Sequence, residues 1–169
     1  MKMTMMTLIM KQIILIRHSK SSWNLPLKDF DRPLTENGIT KATNIAIKTK
    51  EFLPQHHTIW SSSAKRATDT AMIIVENWDL NTNTISFSDD LYTFNLNKLE
   101  QFVKLCPNNI ESLILFGHNN AITDFVNKFG DIFIDNVPTA GFVSIIFEAN
   151  HWKNISKGKT TKILFPRDC

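Results

Sequence analysis

The chain has 169 residues, 43% of them hydrophobic and including 12 Phe and 4 Trp, which suffices for one substantial core and leaves little length for a second domain. Charged residues make up 21% and the formal net charge is only +3, with no basic block, so a broad nucleic-acid surface is excluded and any bound anion is expected to be small and local. No apolar run is long enough to span a bilayer, so no membrane partner is expected.

Residues 1–10, rich in Met and Thr, read as an N-terminal extension to a domain spanning 11–169. They lack the sustained apolar stretch and small-residue cleavage site of a signal peptide; the alternative is an extra edge strand. Beyond them, short β-branched runs alternate with amphipathic stretches, which predicts an α/β fold: a single three-layer α/β/α sandwich around a mostly parallel sheet. Strands are predicted at 12–16, 58–61, 84–87, 112–116 and 142–148, with a late one at 162–165. The first helix, within 35–52, places Ile39, Ala42, Ile45, Ala46, Thr49 and Phe52 on one face. The second, 64–78, turns Ala67, Ala71, Met72, Val75 and Trp78 inward; the third covers 97–106 and the fourth 120–129. Val137-Pro138-Thr139-Ala140-Gly141 breaks the helical period, and Lys157-Gly158-Lys159 reads as a turn. Cys106 and Cys169 have neither a CxxC pattern nor zinc-ligand spacing and read as free thiols of a cytoplasmic protein.

The chemistry gathers at strand ends. Ile13-Ile14-Leu15-Ile16 stops at Arg17-His18, Arg66 opens the second helix, and Leu113-Ile114-Leu115-Phe116-Gly117 stops at His118. In open α/β sheets ligands collect beyond the carboxyl ends of the strands, where helix N-termini point their N–H groups. Two guanidinium forks suit a phosphoryl group, and a neutral imidazole is a competent nucleophile toward phosphorus. Cationic neighbours disfavour imidazolium and keep His18 uncharged. A second imidazole, His118, can steady the transition state. Ser62 reads as a helix cap or a phosphate donor, and Asn24 and Arg32 as substrate contacts or parts of a turn with a structural ion pair. His56-His57 reads as a solvated loop.

Leu15-Ile16-Arg17-His18-Ser19-Lys20-Ser21-Ser22-Trp23-Asn24, followed by Asp31-Arg32-Pro33-Leu34-Thr35 and Gly38, resembles the opening of the histidine phosphatase (phosphoglycerate mutase-like) superfamily, in its small SixA-like branch. Ser61-Ser62-Ser63-Ala64-Lys65-Arg66-Ala67-Thr68-Asp69-Thr70-Ala71 is similar to its second signature and Gly117-His118-Asn119 to its third, with Pro138-Thr139-Ala140 similar to the segment before its late strand. The resemblance implies a phosphoglycerate mutase-like fold and a metal-independent phosphatase without cofactor. It implies phosphorylation of His18, phosphoryl binding by Arg17 and Arg66, and completion of the pocket by His118. Ser19, Asn24, Ser62 and Asn119 are the expected substrate contacts.

Two positions depart from the pattern. Ser19 stands where a smaller Gly or Ala is usual, and in Asp89-Asp90-Leu91-Tyr92-Thr93 the place of the larger relatives' carboxylic acid holds Thr93. An alkoxide leaving group without an acid forgoes about 10²–10⁴-fold, whereas a phosphoramidate departs on a nitrogen that needs no such help. The expected substrate is therefore phosphohistidine on a signalling or phosphotransfer protein. The rivals are a small-molecule phosphomonoesterase using Asp89 or Asp90 as acid, and a non-catalytic phosphate-binding module.

Overall fold

The computed structural model describes residues 9–169. Its strands are β1 (Met10–Arg17), β2 (Thr58–Ser62), β3 (Ile85–Ser88), β4 (Ser112–Gly117), β5 (Phe142–Glu148) and β6 (Lys159–Leu164), and its helices α1 (Glu36–Thr49), α2 (Lys65–Asn77), α3 (Leu96–Lys104) and α4 (Ala121–Phe129). Met10, assigned to the extension by sequence, already pairs with Glu148 in β1. The rest of that segment, residues 1–8, lies outside the described residues.

The six strands form one mixed sheet in the order β3-β2-β4-β1-β5-β6. Pairing is parallel from β3 through β2 and β4 to β1 and antiparallel for β1 with β5 and β5 with β6. Strand alternation sends successive side chains to opposite faces. Ile13, Leu15, Leu113 and Leu115 pack with Leu99 and Val103 of α3 and Phe125 and Phe129 of α4. Ile14, Ile16, Ile114 and Phe116 pack with Ala42 and Ile45 of α1, Ile74 and Val75 of α2, and Trp78 just beyond its end. Both faces of β1 and β4 are thus covered, which is why these strands read as unbroken apolar runs. Each fully buried Ile or Leu contributes about 1.5–3 kcal/mol to such a core.

Ala42, Ile45, Ala46 and Thr49 of α1 and Ala67, Ala71 and Val75 of α2 are buried as predicted, as is Trp78 just beyond α2, but Ile39 and Met72 are exposed, while Gly38, Arg66, Thr70 and Ile74 are turned inward as well. An ideal Cβ on Gly38 would lie 2.1 Å from the Lys20 carbonyl oxygen, so the loop after β1 rests directly on the helix backbone. Residues 50–52, predicted as the last helical turn, form a separate 3₁₀ turn. No helix among the described residues is long and apolar enough to cross a membrane.

Candidate active site

The strand order places three carboxyl ends side by side. Arg17, the last residue of β1, is in register with Gly117, the last of β4, and the His18 N–H donates to the Gly117 carbonyl at 3.0 Å. On the other side of β4, Ser61 of β2 is in register with Phe116. The chain then enters α2, whose second residue, Arg66, points back over these ends. From β5's side the Ala140 N–H donates to the carbonyls of Arg17 and His18 at 3.0 and 3.1 Å, which fixes the backbone where β1 ends. Side chains from three segments distant in sequence therefore meet: Arg17 and His18, Arg66, and His118.

Arg17, His18 and Arg66 line a cavity of about 540 Å³ together with Lys20, Ser21, Trp23, Asp29, Arg32, Tyr92, Phe94, Asn119 and Thr139. His18 Nδ1 lies 2.7 Å from the Ser19 carbonyl oxygen, to which it donates. The ring proton is therefore on Nδ1 and the lone pair on Nε2. That lone pair accepts from Arg66 Nε–H at 3.3 Å. His118 lies behind the cavity wall, its ring centroid 5.3 Å from that of His18, with Tyr92 and Phe94 packed edge-on at 5.3 and 5.5 Å. Its Nε2 is 2.8 Å from Ser62 Oγ, which also accepts from the Ala64 N–H at 3.2 Å. Among the described residues the Ser62 hydroxyl has no other acceptor, so its proton goes to Nε2 and the His118 ring proton is on Nδ1. Among the described residues, His118 Nδ1 and Arg17 Nε are buried side-chain nitrogens without a hydrogen-bond partner. Buried donors normally find one, and an anion seated between Arg17 and the histidines would supply it.

Burial and surrounding guanidinium charge act together on both imidazoles. Desolvation, and then Arg66, Arg17 and Arg32, push His18 down to about 4 against the Ser19 hydrogen bond, which favours the charged form. Desolvation, His18 and Arg66 push His118 down to about 3. Both rings are neutral at pH 7, so His18 carries a usable lone pair.

The model of the histidine phosphatase superfamily (branch 1) matches residues 13–104 of this sequence. The chain belongs to the histidine phosphatase superfamily. An uncharacterized chloroplastic protein of Arabidopsis thaliana is 42% identical over 67 residues, a stretch that is 38% of this chain and 30% of the plant protein's length. Among solved structures, the protein histidine phosphatase SixA complexed with tungstate superposes with a TM-score of 0.77 at 16% identity, covering 93% of this chain and 98% of that one. SixA from Nakamurella multipartitia gives 0.74 at 17%, covering 93% and 96%. Phosphoserine phosphatase from Entamoeba histolytica, bound to 3-phosphoglyceric acid, gives 0.62 at 20%, covering 90% and 96%.

In this member of the superfamily the four expected substrate contacts lie in different places. Asn119 lines the cavity, but its side chain is spent on the fold, donating to Asn136 Oδ1 and the Val137 carbonyl and accepting from the Thr123 N–H and hydroxyl. Ser19 does not line it: its hydroxyl donates to the Gly38 carbonyl at 2.7 Å, because α1 passes that close. Its N–H donates to Thr70 Oγ1 at 2.9 Å. Ser62 is fully buried and serves His118 and the Ala64 N–H rather than the cavity. Asn24 lies outside the cavity, on an exposed turn where its N–H donates to Ser22 Oγ. Asp89 and Asp90 face a neighbouring depression with Thr93 and Lys98, and Asp89 accepts from the Ser63 hydroxyl.

Asp29 and Tyr92 are among the lining residues that the sequence did not single out. Asp29 accepts from Arg66 through its backbone carbonyl at 2.6 Å and through Oδ2 at 2.9 Å, from Arg32 through Oδ1 at 2.8 Å, and from the Tyr92 hydroxyl. Hydrogen bonds from Tyr92 and Arg66, with the Arg66 charge and an Arg32 hydrogen bond behind them, outweigh partial burial and hold its carboxyl down at about 2. Arg32 is itself braced, donating to the Ser22 carbonyl at 3.0 Å while the Trp23 ring stacks over its guanidinium at 3.2 Å. The ion pair expected near Asp31-Arg32 thus exists, with Asp29 as the partner.

Proposed function

We propose that this protein is a phosphatase that works through a phosphohistidine intermediate on His18 and takes phosphohistidine, on a signalling or phosphotransfer protein, as its substrate. Arg17 and Arg66 bind the phosphoryl oxygens. His18 Nε2 attacks phosphorus in line while the bond from phosphorus to the substrate's imidazole nitrogen breaks and its electron pair stays with that ring. With its other ring nitrogen protonated, the substrate imidazole leaves neutral. Water then displaces phosphate from His18, whose Nδ1–H, held by the Ser19 carbonyl, lets it leave neutral as well; the water's proton passes to phosphate or solvent. His118 Nδ1–H donates to the charge that builds on the phosphoryl oxygens.

The observation that carries the choice of substrate is the state of Asp29. Among the described residues lining the cavity it is the one carboxyl group, and Arg66, Arg32 and Tyr92 keep it ionised with its carboxyl at about 2, so it has no proton to give an alkoxide near neutral pH. Tyr92 is no better an acid, since burial and Asp29 raise it above its ordinary range. A phosphoramidate needs no such proton.

Steady-state hydrolysis of a phosphohistidine peptide and of sugar phosphates by the same preparation tests the reading. The expected preference for the peptide is about 10²–10⁴-fold in kcat/KM, the usual worth of general acid help that an ester would lack. An alkali-stable, acid-labile phosphoenzyme should accumulate and vanish in His18→Ala. Faster hydrolysis of the esters would transfer the assignment to a phosphomonoesterase, and phosphate binding without turnover of either class would make the domain a binding module.

A further inference from the structure

Asp29 has one lone pair to spare. A carboxylate accepts at about four sites, and here Oδ1 takes one hydrogen bond from Arg32 while Oδ2 takes one from Arg66 and one from Tyr92. Its side chain is 39% exposed and lines the cavity, so the remaining Oδ1 site is open to a ligand.

Its position relative to the nucleophile is set by Arg66. That guanidinium gives Nε–H to His18 Nε2 at 3.3 Å and Nη2–H to Asp29 Oδ2 at 2.9 Å. Its Nη1–H goes to the Asp29 carbonyl at 2.6 Å, so Asp29 holds the Nη end of the fork while Nε–H faces the nucleophile. One guanidinium therefore bridges nucleophile and carboxylate at the cavity that both line. In-line displacement places the leaving group across phosphorus from His18, and Asp29 is, among the described residues, the carboxyl group of that cavity. The wall there is aromatic, with Tyr92 and Phe94 packed edge to face at 5.5 Å, and suits a flat ring.

We propose that Asp29 determines specificity: its carboxylate accepts a hydrogen bond from the distal ring N–H of a phosphoimidazole and thereby selects nitrogen-linked, protonated phosphoryl donors over phosphate esters. The inference rests on the proposed phosphohistidine reading. As the His18–phosphorus bond forms and the phosphorus–nitrogen bond breaks, the electron pair goes to the leaving ring nitrogen, and the distal nitrogen keeps the proton that Asp29 has held in place. Asp29 itself gains no proton. The same negative charge repels the alkoxide that would build on an ester, so one group both attracts the right substrate and disfavours the wrong one. The charged and titratable groups around it are Arg32 from its own loop, Arg66 from α2, Tyr92 from the segment after β3 and His118 behind them, with Arg17, His18 and Lys20 lining the same cavity.

The test compares Asp29→Asn with the wild type on a phosphohistidine peptide and on p-nitrophenyl phosphate, whose leaving group needs no proton. Asn keeps an oxygen for Arg66, and any slackening of Arg66 lowers both activities alike. The expected result is a fall in kcat on the peptide that exceeds the fall on the ester by about 10- to 100-fold, the worth of one hydrogen bond to a charged group. The alkaline limb of kcat on the peptide, which reports the bound substrate's ring, should move down by about one pH unit, and Asp29→Glu should restore part of both. Equal losses on the two substrates with an unmoved limb would reduce Asp29 to a support for Arg66 and overturn the inference alone. A wild type no better on the peptide than on sugar phosphates would overturn the phosphohistidine reading first, and this inference with it.

Discussion

The Nε–H of Arg66 is donated across 3.3 Å to Nε2 of His18, the lone pair on which the proposed displacement depends. In the free protein this contact opposes protonation of the nucleophile, and an arriving phosphoryl group must take the guanidinium over. Arg66 can do both because the rest of its fork is anchored on the Asp29 carbonyl and carboxylate. Lysine offers a point charge and no fork. Arg66→Lys should therefore cost about 10²–10³ in kcat/KM, the range found for loss of a preorganised donor. Kinetics within threefold of wild type would show that the charge suffices and the fork does not matter.

Acid should act on the nucleophile late and on the fold early. With His18 at about 4, its ring should stay neutral well below the ordinary 6.5, and an NMR titration of the His18 ring nitrogens should give a midpoint near 4. A midpoint near 6.5 would mean that the cavity is wetter and less cationic than its lining implies. The same shift has a stability consequence of definite sign. Native His18 and His118 titrate at about 4 and about 3 while the unfolded chain takes up these protons near 6.5, so the unfolded state binds more protons in between. Stability is complete above pH 6.5 and declines as pH falls toward 4 and 3, by on the order of 3 kcal/mol for His18 alone. Asp29, at about 2, acts in the same direction at lower pH still. Melting temperature followed from pH 8 to 4 should slope accordingly, and more gently in His118→Gln.

What could be read in advance was local, and what could not was distant. Apolar runs and helical spacing are properties of neighbours, so β1 to β5 and the four helices were legible, as was the position of Arg17, His18, Arg66 and His118 at element ends. Asp29 was not, because its meaning comes from Arg66, 37 residues on, and Tyr92, 63 residues on. Nothing in the run Phe142–Glu148 encodes that β5 enters the sheet antiparallel to β1. The spacing of α1 allowed Ile39 as a core residue, but it is the neighbouring Gly38 that is covered, by the Lys20 carbonyl, and Ile39 is left exposed. The fate of the Ser19 hydroxyl follows from that same contact rather than from any phosphate.

Ser62 is expected to matter through His118. Its hydroxyl is 2.8 Å from Nε2 of an imidazole that is only 1% exposed and whose other nitrogen has no partner among the described residues. Ser62→Ala leaves the ring unpaired on both sides and also strips the Ala64 N–H of its acceptor. A buried polar group so abandoned costs about 1–3 kcal/mol, and a His118 free to change tautomer loses its donor toward the phosphoryl group. Thermal melts should show the first effect and kcat the second, with kcat down by about tenfold. A melt shift without a change in kcat would place His118 in the scaffold and not in the chemistry.

Gly38 lets a helix hold a catalytic loop. In α1 its N–H donates to Thr35 Oγ1 at 2.9 Å and its carbonyl accepts from the Ser19 hydroxyl at 2.7 Å, while the Lys20 carbonyl accepts from the Thr35 N–H at 2.9 Å. A Cβ placed there would meet the Lys20 oxygen at 2.1 Å and the Lys20 nitrogen at 3.1 Å, backbone atoms that cannot rotate aside. Alanine gains about 1 kcal/mol of helix propensity, yet overpacking of this kind costs about 1–3 kcal/mol and sometimes more. Gly38→Ala should therefore be destabilising on balance. The loop it displaces begins one residue after His18, so the nucleophile shifts with it, and a misplacement of about 1 Å can cost about 10²-fold in rate. Activity should fall at temperatures where the variant is still fully folded. If instead kcat/KM is wild-type below the melting transition, the loop yields without moving His18, and the nucleophile is held by β1 and the Gly117 carbonyl alone.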